Sequence, residues 1–158
     1  MNIINLIILF IAGAFSTLYY IITTARKSFV TEQESKYDFD ETVERVKKVI
    51  NDSNGWVLPI PSWQFSQAME KKGKAFRGIE RLDILFICNA EYAQEMVSNR
   101  PSMAALMPCG WAIYQKNGKV FLGALNVKLL SMPFSGLEKE IFKKVEKDVV
   151  KMQKSIVD

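Results

Sequence analysis

The chain is 158 residues long, a length that suits one domain, and its formal charge of +4 is mild. Two cysteines are too few for a disulfide-dense secreted scaffold. There is no histidine, so the side chain most used for proton transfer near neutral pH, and the commonest metal ligand, is absent.

Residues 2–25 carry no charged side chain, and Ile3, Ile4, Leu6, Ile7, Ile8, Leu9, Phe10 and Ile11 make the first half almost continuously apolar. As a helix of roughly 23 residues this stretch is about 34 Å long, enough to cross a hydrocarbon core of about 30 Å. Tyr19 and Tyr20 fall where amphipathic rings favour the interface, and Arg26 and Lys27 close the run. A cleaved signal peptide would begin with basic residues, carry a shorter apolar core and end at a small-residue site. Here the apolar run continues well past Ala12-Gly13-Ala14, and no cysteine follows it to accept a lipid. The reading is an uncleaved, single-pass membrane anchor over residues 1–27, in contact with lipid. Ala12, Gly13, Ala14 and Ser16 give it a small-residue patch suited to close helix packing. Arg26 and Lys27, against an uncharged N-terminal flank, tilt the soluble part slightly towards the cytoplasmic side.

Residues 28–37 are polar and mixed in charge, as in a tether or a first edge strand, and a domain over 38–158 follows. Asp38 opens a helix, with Glu41 at capping-box spacing and Asp40 beside it at the positive end of the helix dipole. Val43, Val46, Val49 and Ile50 share one face, and Asn54-Gly55 ends the element. Trp56, Val57, Leu58 and Ile60 predict a short strand bounded by Pro59 and Pro61, confined to an edge or cut off there. Ser62 is placed to cap a brief helix carrying Phe65, Ala68 and Met69, closed by Gly73.

Leu82, Ile84, Leu85, Phe86 and Ile87 predict a buried strand that runs into Cys88-Asn89, followed by a helix over residues 90–98. Arg100-Pro101 breaks that helix. Trp111, Ile113 and Tyr114, then Asn117-Gly118, then Val120, Phe121, Leu122 and Leu125 form the clearest hairpin signal in the chain. Leu137, Ile141, Val145, Val149, Met152 and Ile156 draw one continuous apolar stripe along a last helix, which predicts that it lies on the sheet. This order of elements is α+β, not a doubly wound parallel sheet.

Gly55-Trp56 after the first domain helix, Phe86-Ile87-Cys88-Asn89, the helix with Ala93, the Pro108-Cys109 pair and the hairpin through Gly118 occur in that order. With these features the segment from about Tyr37 to Ile156 resembles the domain-of-unknown-function 302 family, in its cysteine-bearing branch. Ala90 stands where that branch has a proline, and Met107 where it has a leucine. The resemblance implies a β-α-β4-α fold similar to a TATA-binding-protein half, and often a homodimer. It implies no established reaction.

Cys88 and Cys109 each sit at a strand end. Thiolates and thioethers suit soft ions such as copper(I) and serve as axial haem ligands, and Met103 and Met107 lie close to Cys109 in sequence. The candidate cofactor-binding set is therefore Cys88, Cys109 and Met107, with haem or copper as the candidate cofactor. One chain lacks the four ligands of a zinc site, although two chains together would supply four cysteines. The plainer reading leads: free cysteine packs as a small hydrophobe, and an oxidised pair would close a loop of about 20 residues worth roughly 3 kcal/mol. Thiol redox chemistry ranks last.

Lys139, Lys143, Lys144, Lys147, Lys151 and Lys154 interleave with Glu138, Glu140, Glu146 and Asp148, as on a solvated helix face, with Glu140 and Lys144 as an i,i+4 pair. Nucleic-acid binding is not expected. Trp56 and Trp111 are read as core and Trp63 as a candidate interface anchor. Glu80 and Asp83 read as surface charges, and there is no phosphate loop, nucleophile elbow or catalytic residue set. The expectation is a membrane-tethered, non-enzymatic interaction domain, acting as a homodimer or as an accessory subunit of a larger membrane protein complex. The alternative is a redox, haem- or soft-metal-binding module.

Overall fold

The computed structural model describes the backbone of residues 2–158, and the side chains within them except those of residues 4, 6, 7 and 24–28. It begins with a 26-residue helix, α1 (Ile3–Ser28). Its described side chains are exposed almost throughout, Phe10 to 78% and Tyr19 to 73%. Among the described residues no helix is long and apolar enough to cross a membrane. The anchor expected over 1–27 is therefore not a feature of the described fold. The side chains of Ile4, Leu6 and Ile7, and of the flanking Arg26 and Lys27, lie outside the described residues.

The remaining residues form an α+β unit with a five-stranded antiparallel sheet. In chain order come β1 (Val30–Ser35), α2 (Phe39–Asp52), β2 (Trp56–Val57), α3 (Phe65–Glu70) and β3 (Arg81–Asn89). Then follow α4 (Ala90–Asn99), the 3-10 turn η1 (Pro101–Leu106), β4 (Cys109–Lys116), β5 (Lys119–Leu125), α5 (Val127–Leu130) and α6 (Gly136–Val157). The strand order across the sheet is β1-β5-β4-β3-β2.

Local chemistry explains the boundaries. Asp38 accepts a hydrogen bond from the Glu41 backbone N–H at 2.8 Å, which satisfies one of the open donors at the start of α2. Asn117 and Gly118 both adopt positive φ, 53° and 73°, the geometry of a type I′ turn whose twist matches the β4–β5 hairpin. β2 is shorter than the expected 56–60: only Trp56 and Val57 pair with β3, because Pro59 and Pro61 cannot donate to the ladder. The edge is regained at Trp63, which exchanges backbone hydrogen bonds of 2.8 and 2.9 Å with Ile84. That pairing keeps Trp63 extended, so α3 starts at Phe65 and not after Ser62, and Gln64 in the cap position makes no side-chain cap bond.

Register places Leu85, Trp111 and Ala124 side by side on one face, with Ile113 and Leu122 in the next row. These side chains are buried, as are Val46 and Ile50 of α2 and Ile141, Val149 and Ile156 of α6. One hydrophobic core therefore lies between the sheet and these two helices. Leu137 and Val145 complete the α6 stripe as partly buried residues.

Candidate functional site

The motif residues that carry the family resemblance converge at one end of the sheet. Trp56 pairs with Asn89, Val57 with Cys88, and Ile87 with Cys109. Asn89 is the hinge of this arrangement. Its side-chain oxygen accepts from the backbone N–H groups of Glu91 and Tyr92, both at 3.1 Å, and so caps α4. Its amide group donates to the Asn54 carbonyl at 3.3 Å. Gly55 sits against that amide at φ +74°, where an added Cβ would lie 2.9 Å from the Asn89 nitrogen. The Gly55 carbonyl also accepts from the Ala90 N–H at 3.0 Å.

Behind this end lies a cavity of about 60 Å³, lined on one side by Trp56, Cys88, Tyr92, Cys109 and Trp111 and on the other by side chains of α6. One water needs roughly 10–15 Å³ by the same measure, so there is room for a few atoms. The lining is almost wholly apolar. Five sulfur-bearing residues are among those that line it: Cys88, Cys109, Met96, Met103 and Met107. The expected residues Cys88, Cys109 and Met107 all line this cavity, but the pleat directs the Cys88 and Cys109 side chains to opposite faces of the sheet. Met103 joins the lining, and Met96 adds a fifth such residue that no spacing rule would select.

The two cysteines are free thiols, half-buried. Cys109 stands opposite Ile87 and shares its face, so Cys88, the next residue along β3, points to the other face of the sheet. The Cys88 Sγ–H points to the Asn89 carbonyl at 3.8 Å. Burial pushes both thiols above their ordinary pKa, and for Cys109 the neighbouring Cys88 adds to the effect. A raised pKa lowers the thiolate fraction and so makes both weaker nucleophiles. The cavity also decides against haem, whose macrocycle needs a pocket of several hundred Å³. Among the described residues no group of three or more His, Cys, Asp or Glu is placed to hold a metal ion.

A carboxylate adjoins the cavity wall. The Trp56 indole N–H and the Tyr92 hydroxyl both donate to one oxygen of Asp148, each at 3.2 Å. Burial, then the Asp148 charge, pushes the Tyr92 phenol up. Trp56 and Tyr92, which meet edge to face at 6.4 Å, border both the cavity and an open groove with Asp52, Asp148 and Lys151. In the sequence Asp148 is one of several alternating charges, and only the packing of α6 against Trp56 singles it out.

Other expected roles divide between those that hold and those that change. Asp83 is not a surface charge: it is buried on the inner face beside Ile113, and burial pushes its carboxyl up. Glu80 is exposed and accepts from the Gly118 N–H at 3.0 Å across the hairpin end. Lys144 pairs with Glu95 of α4 at 3.8 Å and not with Glu140. Trp63 is 44% exposed, whereas Trp56 and Trp111 are core.

Comparison with known proteins places this geometry. The family model described as "Domain of unknown function DUF302" matches residues 31–157. The chain belongs to the DUF302 family. The match spans every strand of the sheet and both helices that cover it, so the cavity lies wholly within the family's domain. The crystal structure of an uncharacterized conserved DUF302 protein from Bacillus stearothermophilus superposes with a TM-score of 0.71. That similarity covers 81% of this chain and 98% of the other, at 22% identity, and speaks for the fold alone. No curated protein matches.

Proposed function

We propose that this DUF302 chain is a membrane-tethered, non-enzymatic interaction domain, working as a homodimer or as an accessory subunit of a larger membrane protein complex. The observation that supports it is α1: a 26-residue helix, uncharged from residue 2 to 25, whose described apolar side chains all face outward. An exposed apolar surface of that extent needs lipid or another protein against it. At 1.5 Å per residue the 26 residues make a helix of roughly 39 Å. Ala12, Gly13, Ala14 and Ser16 offer a place for a neighbouring helix to pack closely. Arg26 and Lys27 favour a cytoplasmic domain. The β-α-β4-α order is the one the resemblance links to a TATA-binding-protein half, but function follows from a site and not from a fold.

The test is fractionation of native membranes followed by gentle detergent extraction. The chain is expected to stay in the pellet through an alkaline wash and to emerge only with detergent, bound to a second copy or a partner. Recovery as a dissolved chain lacking its first two dozen residues overturns the proposal.

A second reading, a ligand-binding module using Cys88 and Cys109, is supported by the five cysteine and methionine residues in the lining of one cavity. Its test is whether any small ligand enters that cavity.

A further inference from the structure

We infer that the face of the sheet turned away from α2 and α6 is where two copies of this chain meet, sheet against sheet, about a two-fold axis parallel to the strands. The inference rests on the self-association arm of the proposed function and names its surface.

Register defines that face. Trp63, Ile84, Ala112, Gly123 and Glu32 follow one another across it in one row. Leu82, Tyr114, Phe121 and Glu34 form the row on one side, and Phe86 lies opposite Gly110 on the other. An antiparallel sheet that faces water carries polar side chains at its outward positions. Here the outward positions of β3 are Leu82, Ile84, Phe86 and Cys88, with no charge among them. At the rims Val57 is 43% exposed and Trp63 44%. Such a surface calls for a cover.

The surface is level. Gly110 and Ala112 add little height at its middle, and the Tyr114 ring lies over Gly123, its hydroxyl donating to Glu32. A helix, about 10 Å across, would cover two of the five strands, whereas a second sheet covers them all. Five strands at about 4.8 Å and four outward positions of β3 over about 20 Å make roughly 500 Å² per copy. Two copies together reach the roughly 1,000 Å² that a specific interface needs, before side-chain relief is counted.

The rims choose the partner and the axis. On the β1 side Glu34 is paired with Lys119 at 2.9 Å, but Glu32, held by a neutral hydroxyl, keeps its charge. On the β3 side lies the exposed loop with Lys71, Lys72, Lys74 and Arg77, none of them in an ion pair among the described residues. Phe76 pins that loop to the rim through Phe65 at 5.4 Å, and Phe65 meets Trp63 at 4.5 Å. A two-fold axis parallel to the strands sets each acidic rim over the other copy's basic loop. An axis across the strands would set Glu32 over its own copy in the partner. The parallel axis also keeps both β1 starts at one end, so the two α1 helices can enter the same membrane.

The experiment measures self-association of the full chain in detergent by sedimentation, with circular dichroism as the folding control. Ala112→Arg sets two like charges near the axis and should weaken the dimer by about 100-fold or more. Lys74→Glu with Arg77→Glu should weaken it roughly 10-fold, and adding Glu32→Lys should restore it. Should Ala112→Arg fail to fold, the charge exchange and acrylamide quenching of the unaltered chain still decide. Quenching of the exposed Trp63 should fall as the chain dimerises. A dimer that none of these changes weakens, with Trp63 still quenched, overturns this face and spares self-association through α1. A chain that stays monomeric at every concentration overturns both this face and the homodimer, and leaves the accessory-subunit arm standing.

Discussion

The two long helices, α1 and α6, have similar lengths and opposite fates. α1 runs 26 residues and α6 runs 22. In α6 the apolar side chains recur along one stripe, and Ile141, Val149, Met152 and Ile156 are buried while lysines and glutamates face water. In α1 apolar side chains point all round, and those described stay exposed. A helix with one apolar face is completed by a sheet; a helix apolar on every side has no face that a single sheet can cover. The difference lies in patterning, not in hydrophobic content.

The comparison breaks or sharpens at four places. The largest effect is expected at Ile141→Ala in α6, which leaves a cavity against the sheet and should cost about 2–5 kcal/mol in urea unfolding of the full chain in detergent. Phe15→Ala in α1 should leave that transition within about 0.5 kcal/mol. Equal losses would mean that α1 packs on the domain after all.

Next in size is Leu9→Arg. A charge in the first half of α1 should oppose lipid insertion by up to roughly 3 kcal/mol and shift the chain towards the dissolved fraction. The same change at Val150, on the exposed face of α6, should move neither fractionation nor stability. If Leu9→Arg stays in the pellet, lipid is not what covers α1.

The buried end of the sheet is probed by Gly55→Ala. Its φ of +74° and the 2.9 Å approach to Asn89 predict a loss of about 1–3 kcal/mol, read as a lower unfolding midpoint. The smallest effect belongs to Asp83→Asn. Burial raises the folded pKa of Asp83 above its unfolded value of 3.8, so the folded state binds its proton more tightly. Stability from this group is present below that unfolded value and is lost as pH rises through the raised folded one. Asp83→Asn should therefore raise the melting temperature near pH 7 by about 2 °C, and the gain should vanish in acid, as followed by circular dichroism.

Much of the fold was legible because its signals are local. Asp38 and Glu41 mark the start of α2, Asn117-Gly118 forces the hairpin, and the stripe from Leu137 to Ile156 announces a helix that lies on a sheet. Where a local signal competed with pairing, pairing won: Ser62 is a good cap, but the hydrogen bonds between Trp63 and Ile84 hold that segment extended. The candidate site was half legible. Cys88, Cys109 and Met107 stand out by residue type and by position at strand ends.

Sequence by itself determined the α+β class, the limits of most helices and strands, and the charge-free character of residues 2–25. These depend on dihedral preference and on periodicity within one segment. Only the tertiary structure decided that five cysteine and methionine residues line one cavity, that Asp148 accepts from Trp56 and Tyr92, and that Asp83 is buried. Those facts depend on the register between β3 and β4 and on where α6 crosses the sheet. Both are set by burial summed over many distant residues, so no short window of the chain contains them.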